Sequence, residues 1–245
     1  MFRRWNLWPI YPWVKTLDGY NFATKTLWSK TSGDGSGFYF REFVGEATEM
    51  SDVGPGAYDY LLASHVLEHI ANPLKALNTW KRVLRPEGIL ILVVPHRDGT
   101  FDHRRPITTL DHIVDDFRKS VTEADETHVT EIVALHDLGR DPGAGSQEAF
   151  LKRAARNAEY RSLHHHVFDT ELVLRLVDRA NLEIEYLDIE MPYHICVACS
   201  SKARSGGMEG RGKSANEAYL GASATWRTRS RFPSDRDSGH GSVRP

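Results

Sequence analysis

Cysteine is nearly absent from the chain: two in 245 residues, Cys196 and Cys199. That excludes a fold stapled by disulfides. Long apolar runs are missing too. The longest clean one, Ile89–Val94, falls far short of the roughly 20 residues that span a bilayer. Neither sign of charge dominates: 31 Lys and Arg stand against 33 Asp and Glu, a formal net charge of −2. There is thus no electrostatic case for a nucleic-acid or anionic-membrane partner. The start, MFRRWNLWPIYPW, has basic and aromatic residues but no continuous apolar stretch of the signal-peptide kind, so the cytoplasm is the expected compartment. After Lys202, Val, Ile and Leu almost vanish and Gly, Ser and Arg take over. Such a stretch buries too little apolar surface to offset its ordering entropy. Residues 204–245 are therefore expected to be a disordered tail, and residues 1–203 the folded part.

Within the folded part the clearest signals alternate strand, helix, strand. YDYLLAS (Tyr58–Ser64) is a short apolar run behind GPGA and predicts a buried strand. Asn72-Pro73 supplies an N-cap and a proline for the first helical position. Leu74, Leu77, Lys81 and Leu84 follow at helical spacing, which predicts a helix to about Leu84. GILILVVP (Gly88–Pro95) is a continuous Ile/Leu/Val run, the pattern of a parallel strand covered on both faces. One β-α-β unit implies an α/β fold. Further on, TELVLRLVDRA predicts a capped amphipathic helix from Thr170, and LEIEYLDIEM and YHICVACS two strands joined at Pro192. Cys196 and Cys199 lie on the last strand, where residues i and i+3 face opposite ways; two buried thiols are expected there, not a metal or redox pair. Upstream, PWVKTLDGYNF and FYFREFVGEA each predict a strand, and about 97–168 reads as polar and helical.

SHVLEHI (Ser64–Ile70) contains H-x-x-E-H, formed by His65, Glu68 and His69, one of the zinc-protease signatures. A zinc helix needs about three turns. Here the first His follows directly on a buried strand, and only three residues separate His69 from Pro73, which disfavours helix at Asn72. The motif is therefore expected on a tight turn at the carboxyl end of a parallel strand, where open α/β sheets bind ligands.

The stretch YDYLLASHVLEHIANPLKALNTWKRVLRPEGILILVVP resembles the central part of class I S-adenosylmethionine-dependent methyltransferases. In that family the fourth strand begins near an Asp, as at Asp59, and runs into a "vLEH" segment, here Val66–His69. The next helix closes on "RvLkPgG", here RVLRPEG (Arg82–Gly88). The resemblance implies a Rossmann-like, mostly parallel sheet with an antiparallel final strand, a helical acceptor insert after strand five, and S-adenosylmethionine as cofactor. It implies Asp18 on the cofactor's ribose, Glu46 and Ala47 near adenine, and Ser64 and His65 facing the methyl group. The acceptor would be a small molecule or glycan.

One family feature is missing. The Gly-rich turn follows the family's first strand, yet only seventeen residues precede Asp18 and none is Gly. GDGSG (Gly33–Gly37) has no apolar strand before it and reads as a surface loop. The first strand is thus expected to be absent, which makes a truncated or degenerate, non-catalytic chain the alternative reading and would leave inner strand edges unpaired. Twelve His remain to be placed. His96 and His103, just past the fifth strand, are the candidate general bases. His112, His128, His136, Asp137 and His164–His166 would line an acceptor pocket. A Zn²⁺ or Mn²⁺ site from three His and an Asp is the rival; no metal is the expectation.

Overall fold

A computed structural model describes residues 14–26, 40–201, 216–221 and 224–237. The GDGSG stretch and the first thirteen residues lie outside them.

The predicted β-α-β unit is present. Strand β3 (Tyr58–Ser64) pairs in parallel with β4 (Leu84–Pro95), and helix α1 (Pro73–Val83) connects them. Asn72 caps α1 as its chemistry demands: its side-chain oxygen accepts from the Lys75 N–H at 3.1 Å. Leu74, Leu77, Trp80 and Val83 of α1 are buried against Leu90, Leu92 and Val94 of β4. Each such side chain contributes about 2 kcal/mol by leaving water. Gly88 is required by crowding, since a Cβ there would stand 2.9 Å from the Arg85 carbonyl oxygen.

The sheet continues as β3-β4-β6-β5, with β5 (Leu182–Glu190) and β6 (His194–Ser201). β6 runs antiparallel to both of its neighbours, so only this last strand opposes the others in its sheet. Helix α6 (Thr170–Arg179), capped by Asp169, buries Leu172, Val173, Leu176 and Val177 in the same core. The cysteines are free, Cys199 buried and Cys196 half-buried. Burial pushes both thiols up to about 12, which keeps them protonated and inert.

Strands β1 (Asp18–Asn21) and β2 (Arg41–Val44) form a separate two-stranded parallel sheet. Among the described residues, β3 pairs only with β4, and its other edge carries no strand. Among the described residues the sheet is therefore open at this edge. Phe40 and Val44, at this small sheet, are exposed.

Between β4 and α6 the chain is helical, as expected: α2 (Leu110–Arg118), α3 (Val129–Leu135), α4 (Gln147–Ala154) and α5 (Asn157–Tyr160). This insert has its own small core of Ile132, Ala144, Phe150, Ala154 and Leu163. Buried Arg105 ties the start, middle and end of the insert together, donating to Asp102 Oδ1 (3.0 Å), to the carbonyls of His164 (2.8 Å) and His165 (3.2 Å), and to Glu131 (2.8 Å).

The expectation of a disordered tail is corrected for the described part of residues 204–245. Helices α7 (Glu217–Leu220), α8 (Thr225–Arg229) and α9 (Pro233–Asp237) dock on the domain. The anchors are few but specific. Asn216 is fully buried, accepting from the Ile184 N–H and donating to Asp178 and to the Leu182 carbonyl. Trp226 and Phe232 are buried, and Asp235 accepts from the Thr170 N–H, the Thr170 hydroxyl and the Ser230 hydroxyl. Composition averages over such points, so a handful of well-placed anchors escaped it.

Candidate active site

The carboxyl ends of β3 and β4 meet the start of β6 at one rim. The last ladder bond of β3 is the His65 N–H to the Val93 carbonyl at 2.8 Å. His65 then takes a left-handed conformation, φ +53°, rare for a residue with a Cβ. It turns the chain into a single 3₁₀ turn, Leu67–His69. H-x-x-E-H thus sits on a tight turn, as its spacing predicts, and not on a zinc helix. Ser64 Oγ is buried without a hydrogen-bond partner. His65 Nε2 lies 3.1 Å from His194 Nδ1, the first residue of β6, and the His65 ring meets Tyr193 edge-on.

Behind this rim lies Glu68, fully buried, with no hydrogen-bond partner for either carboxylate oxygen. His65 Nδ1 stands 3.5 Å and His69 Nε2 3.9 Å from Oε1. Burial alone would raise this carboxyl group, but His65, His69 and His164 hold it below its ordinary value. Burial pushes His69 down to about 4, so it is neutral; its Nδ1 donates to the Leu163 carbonyl at 3.0 Å. His164 is raised: Asp102, bonded to its Nδ1 at 2.5 Å, outweighs burial.

Glu46 and Ala47 follow β2. Arg161, from the end of the insert, grips the Glu46 carboxylate with both terminal nitrogens, at 2.6 and 2.5 Å. Ala47 offers its carbonyl to the Trp80 indole N–H. Nearby Glu123, which the sequence did not single out, is half-buried, and that burial pushes it up to about 6. Only the fold, by placing it against the Ala71 N–H, marks it.

Two expected site residues are misplaced. Asp18 is the first residue of β1, not the last, and its carboxylate is taken by Arg41 (2.7 Å) and the Tyr58 hydroxyl (2.8 Å). Tyr58 opens β3 and Ser64 closes it, so this carboxylate lies about 20 Å of strand away from the rim. The ribose role for Asp18 is corrected accordingly. His96 is fully buried. Its Nδ1 accepts from the Asp98 N–H, its Nε2 lies 3.1 Å from Asp235, and its ring stacks on Phe232 at 3.7 Å. With both nitrogens engaged and no path to solvent, it is a structural residue. His103 is different: partly open to solvent, with Nε2 on Asp137 at 2.8 Å.

The triple histidine does not act as one group. His164 bonds Asp102, His165 turns toward His128, and His166 bonds the Ala71 carbonyl.

Comparison with known proteins agrees with this architecture. A sequence model of the family described as "Methyltransferase domain" matches residues 20–187, more than half of the chain. The chain belongs to the methyltransferase domain family. Similar solved structures include a methyltransferase of Methanosarcina mazei described as SAM-dependent (16% identity, 75% of this chain and 81% of that one, TM-score 0.42). A putative S-adenosylmethionine-dependent methyltransferase of Listeria monocytogenes is similar at 15% identity, 77% and 81% coverage and TM-score 0.42. The PH0226 protein of Pyrococcus horikoshii is similar at 13%, 76% and 74%, and 0.43. None is near enough to transfer a residue role. No curated protein matches the chain.

Proposed function

We propose that this chain transfers a methyl group from S-adenosylmethionine to a hydroxyl of a small molecule or glycan, at the rim formed by the ends of β3 and β4 and the start of β6. The observation that carries this reading is the turn at Ser64–His65: an orphaned buried hydroxyl beside a strained left-handed histidine, at the end of the sheet where α/β folds bind ligands.

The described residues fit part of the cofactor. Ser64 and His65 would face its reacting end, and the Arg161-held Glu46 with Ala47 its adenine side. Asp18 does not fit the ribose, being at the opposite end of the sheet. When bound, the sulfonium supplies the methyl group. The protein's own part is to hold the acceptor in line, exclude water and receive the hydroxyl proton. His103 is the base we assign. Its Nε2 pairs with Asp137, which would stabilise the imidazolium after proton uptake.

The alternative, a degenerate chain without catalysis, is favoured by the open sheet edge and the absence of a Gly-rich turn among the described residues. Incubation with methyl-labelled S-adenosylmethionine and a panel of glycosides and hydroxylated small molecules separates the two. The proposed activity requires labelled product, reduced about 100-fold or more in His103→Ala. Absence of transfer across the panel, together with absence of cofactor binding, would establish the degenerate reading.

A further inference from the structure

Away from that rim, the insert gathers four ligand-type side chains that neither the fold nor the proposed reaction uses. His112 and Asp116 lie one turn apart on α2 and project from the same face. His128 precedes α3, and His166 comes from the chain leading back to α6. One ring nitrogen from each of the three histidines lies within 4.8 Å of the others.

The finer distances decide what this gathering is. Around a tetrahedral Zn²⁺ with bonds of about 2.0–2.1 Å, neighbouring ligand atoms stand about 3.3 Å apart. His112 Nε2 lies 3.1 Å from His128 Nε2 and 3.2 Å from Asp116 Oδ2. A single hydrogen bond accounts for only one of these two contacts. His112 Nε2 carries at most one proton and cannot serve both neighbours, and Asp116 Oδ2 is buried with no hydrogen-bond partner.

The third histidine adds an independent sign. His166 is buried, 1% exposed. Its Nε2 meets the Ala71 carbonyl at 3.2 Å, while its Nδ1 is buried and has no partner. A histidine held at one nitrogen by a backbone carbonyl and left with a bare lone pair at the other is the arrangement of a metal ligand oriented by its outer shell.

We propose that His112, His128 and His166 form a binding site for a divalent transition-metal ion, with Zn²⁺ the best match to three imidazoles and Asp116 standing beside His112. With three protein ligands the site keeps a fourth position for water or an added ligand. It would fasten α2 and the start of α3 to the segment carrying the triple histidine, fixing the insert over the domain. The half-exposed His112 gives the ion its way in. The site stands independently of the methyl-transfer reading.

The test uses the full chain, purified without a polyhistidine tag, stripped with a chelator and titrated with Zn²⁺ against a chromophoric competitor. One equivalent should bind. The double variant H112A/H128A, altered at half-exposed positions, should lose at least about 100-fold in affinity while keeping its circular dichroism. Co²⁺ on the wild type should give the intense visible d–d bands of a four-coordinate ion. Folded wild type that binds no Zn²⁺, or that gives only the pale spectrum of hydrated Co²⁺, would overturn the proposal. So would Zn²⁺ binding that survives in H112A/H128A but is lost in Glu68→Gln, since the ion would then sit on the neighbouring Glu68, His69 and His164.

Discussion

Asp235 is where the end of the chain is fastened to the domain, and Asp235→Ala measures how firmly. The carboxylate accepts from the Thr170 N–H (3.2 Å), the Thr170 hydroxyl (2.8 Å) and the Ser230 hydroxyl (2.6 Å), and stands 3.1 Å from His96 Nε2. All of these groups are buried. Alanine would leave each one unpartnered, and breaking a buried charged network of this kind costs about 3–5 kcal/mol. For a domain of roughly 200 residues each kcal/mol lowers the melting temperature by about 2–4 °C. A loss of about 10 °C is therefore expected by circular dichroism, together with faster proteolytic cleavage between residues 216 and 237. A variant melting within about 2 °C of the wild type, with unchanged cleavage, would refute the docked tail. The pH dependence carries a second check. Burial raises Asp235, but the bond to His96 outweighs it and holds the carboxyl below its ordinary value. Its stabilisation is therefore complete above the unfolded pKa and is lost as the pH falls through the lower folded one, so the tail should release only in strong acid.

Three further outcomes follow from the site and its supports. His165 is buried, and that burial pushes it down to about 4; the unfolded chain binds this proton first as the pH falls below about 6.5, so folding loses about 2 kcal/mol between pH 7 and 5 through this one group. Urea unfolding of His165→Asn should show the pH 7-to-5 loss smaller by that amount, and an unchanged loss would contradict its burial as a neutral ring. Arg105→Lys should destabilise by about 3–5 kcal/mol in chemical denaturation, because an ammonium cannot reproduce the guanidinium's four-way bonding; full rescue by Lys would refute the fork geometry. Asp18→Asn should leave S-adenosylhomocysteine affinity within about twofold of wild type, whereas Ser64→Leu, which fills the rim, should weaken it by at least about tenfold; the opposite order would return the ribose role to Asp18.

The central β-α-β unit was legible because its signals are local: Asn72 and Pro73 start the helix, and Ile89–Val94 admits no exposed strand face. The turn nature of H-x-x-E-H was legible for the same reason, from a strand on one side and Pro73 on the other. The role of Asp18 was not, because it depended on strand ends. Asp18 lies in a stretch that reads as a strand, but only its pairing with Arg41 shows that it opens the strand and does not close it. His96 looked available because it follows the fifth strand; the aromatic lid and carboxylate that bury it come from residues 232 and 235, more than 130 positions away. The histidines of the metal-like cluster stood out as candidates, but which three meet did not, since His112, His128 and His166 come together only through the packing of the insert.

The measurement that bears most directly on the chain's function is calorimetric titration of the folded protein with S-adenosylhomocysteine, the product of methyl transfer. Saturable one-to-one binding, weakened in Ser64→Leu and unaffected in Asp18→Asn, is the predicted result. Folded wild-type protein that takes up no S-adenosylhomocysteine would contradict a working cofactor site at the rim of β3, β4 and β6.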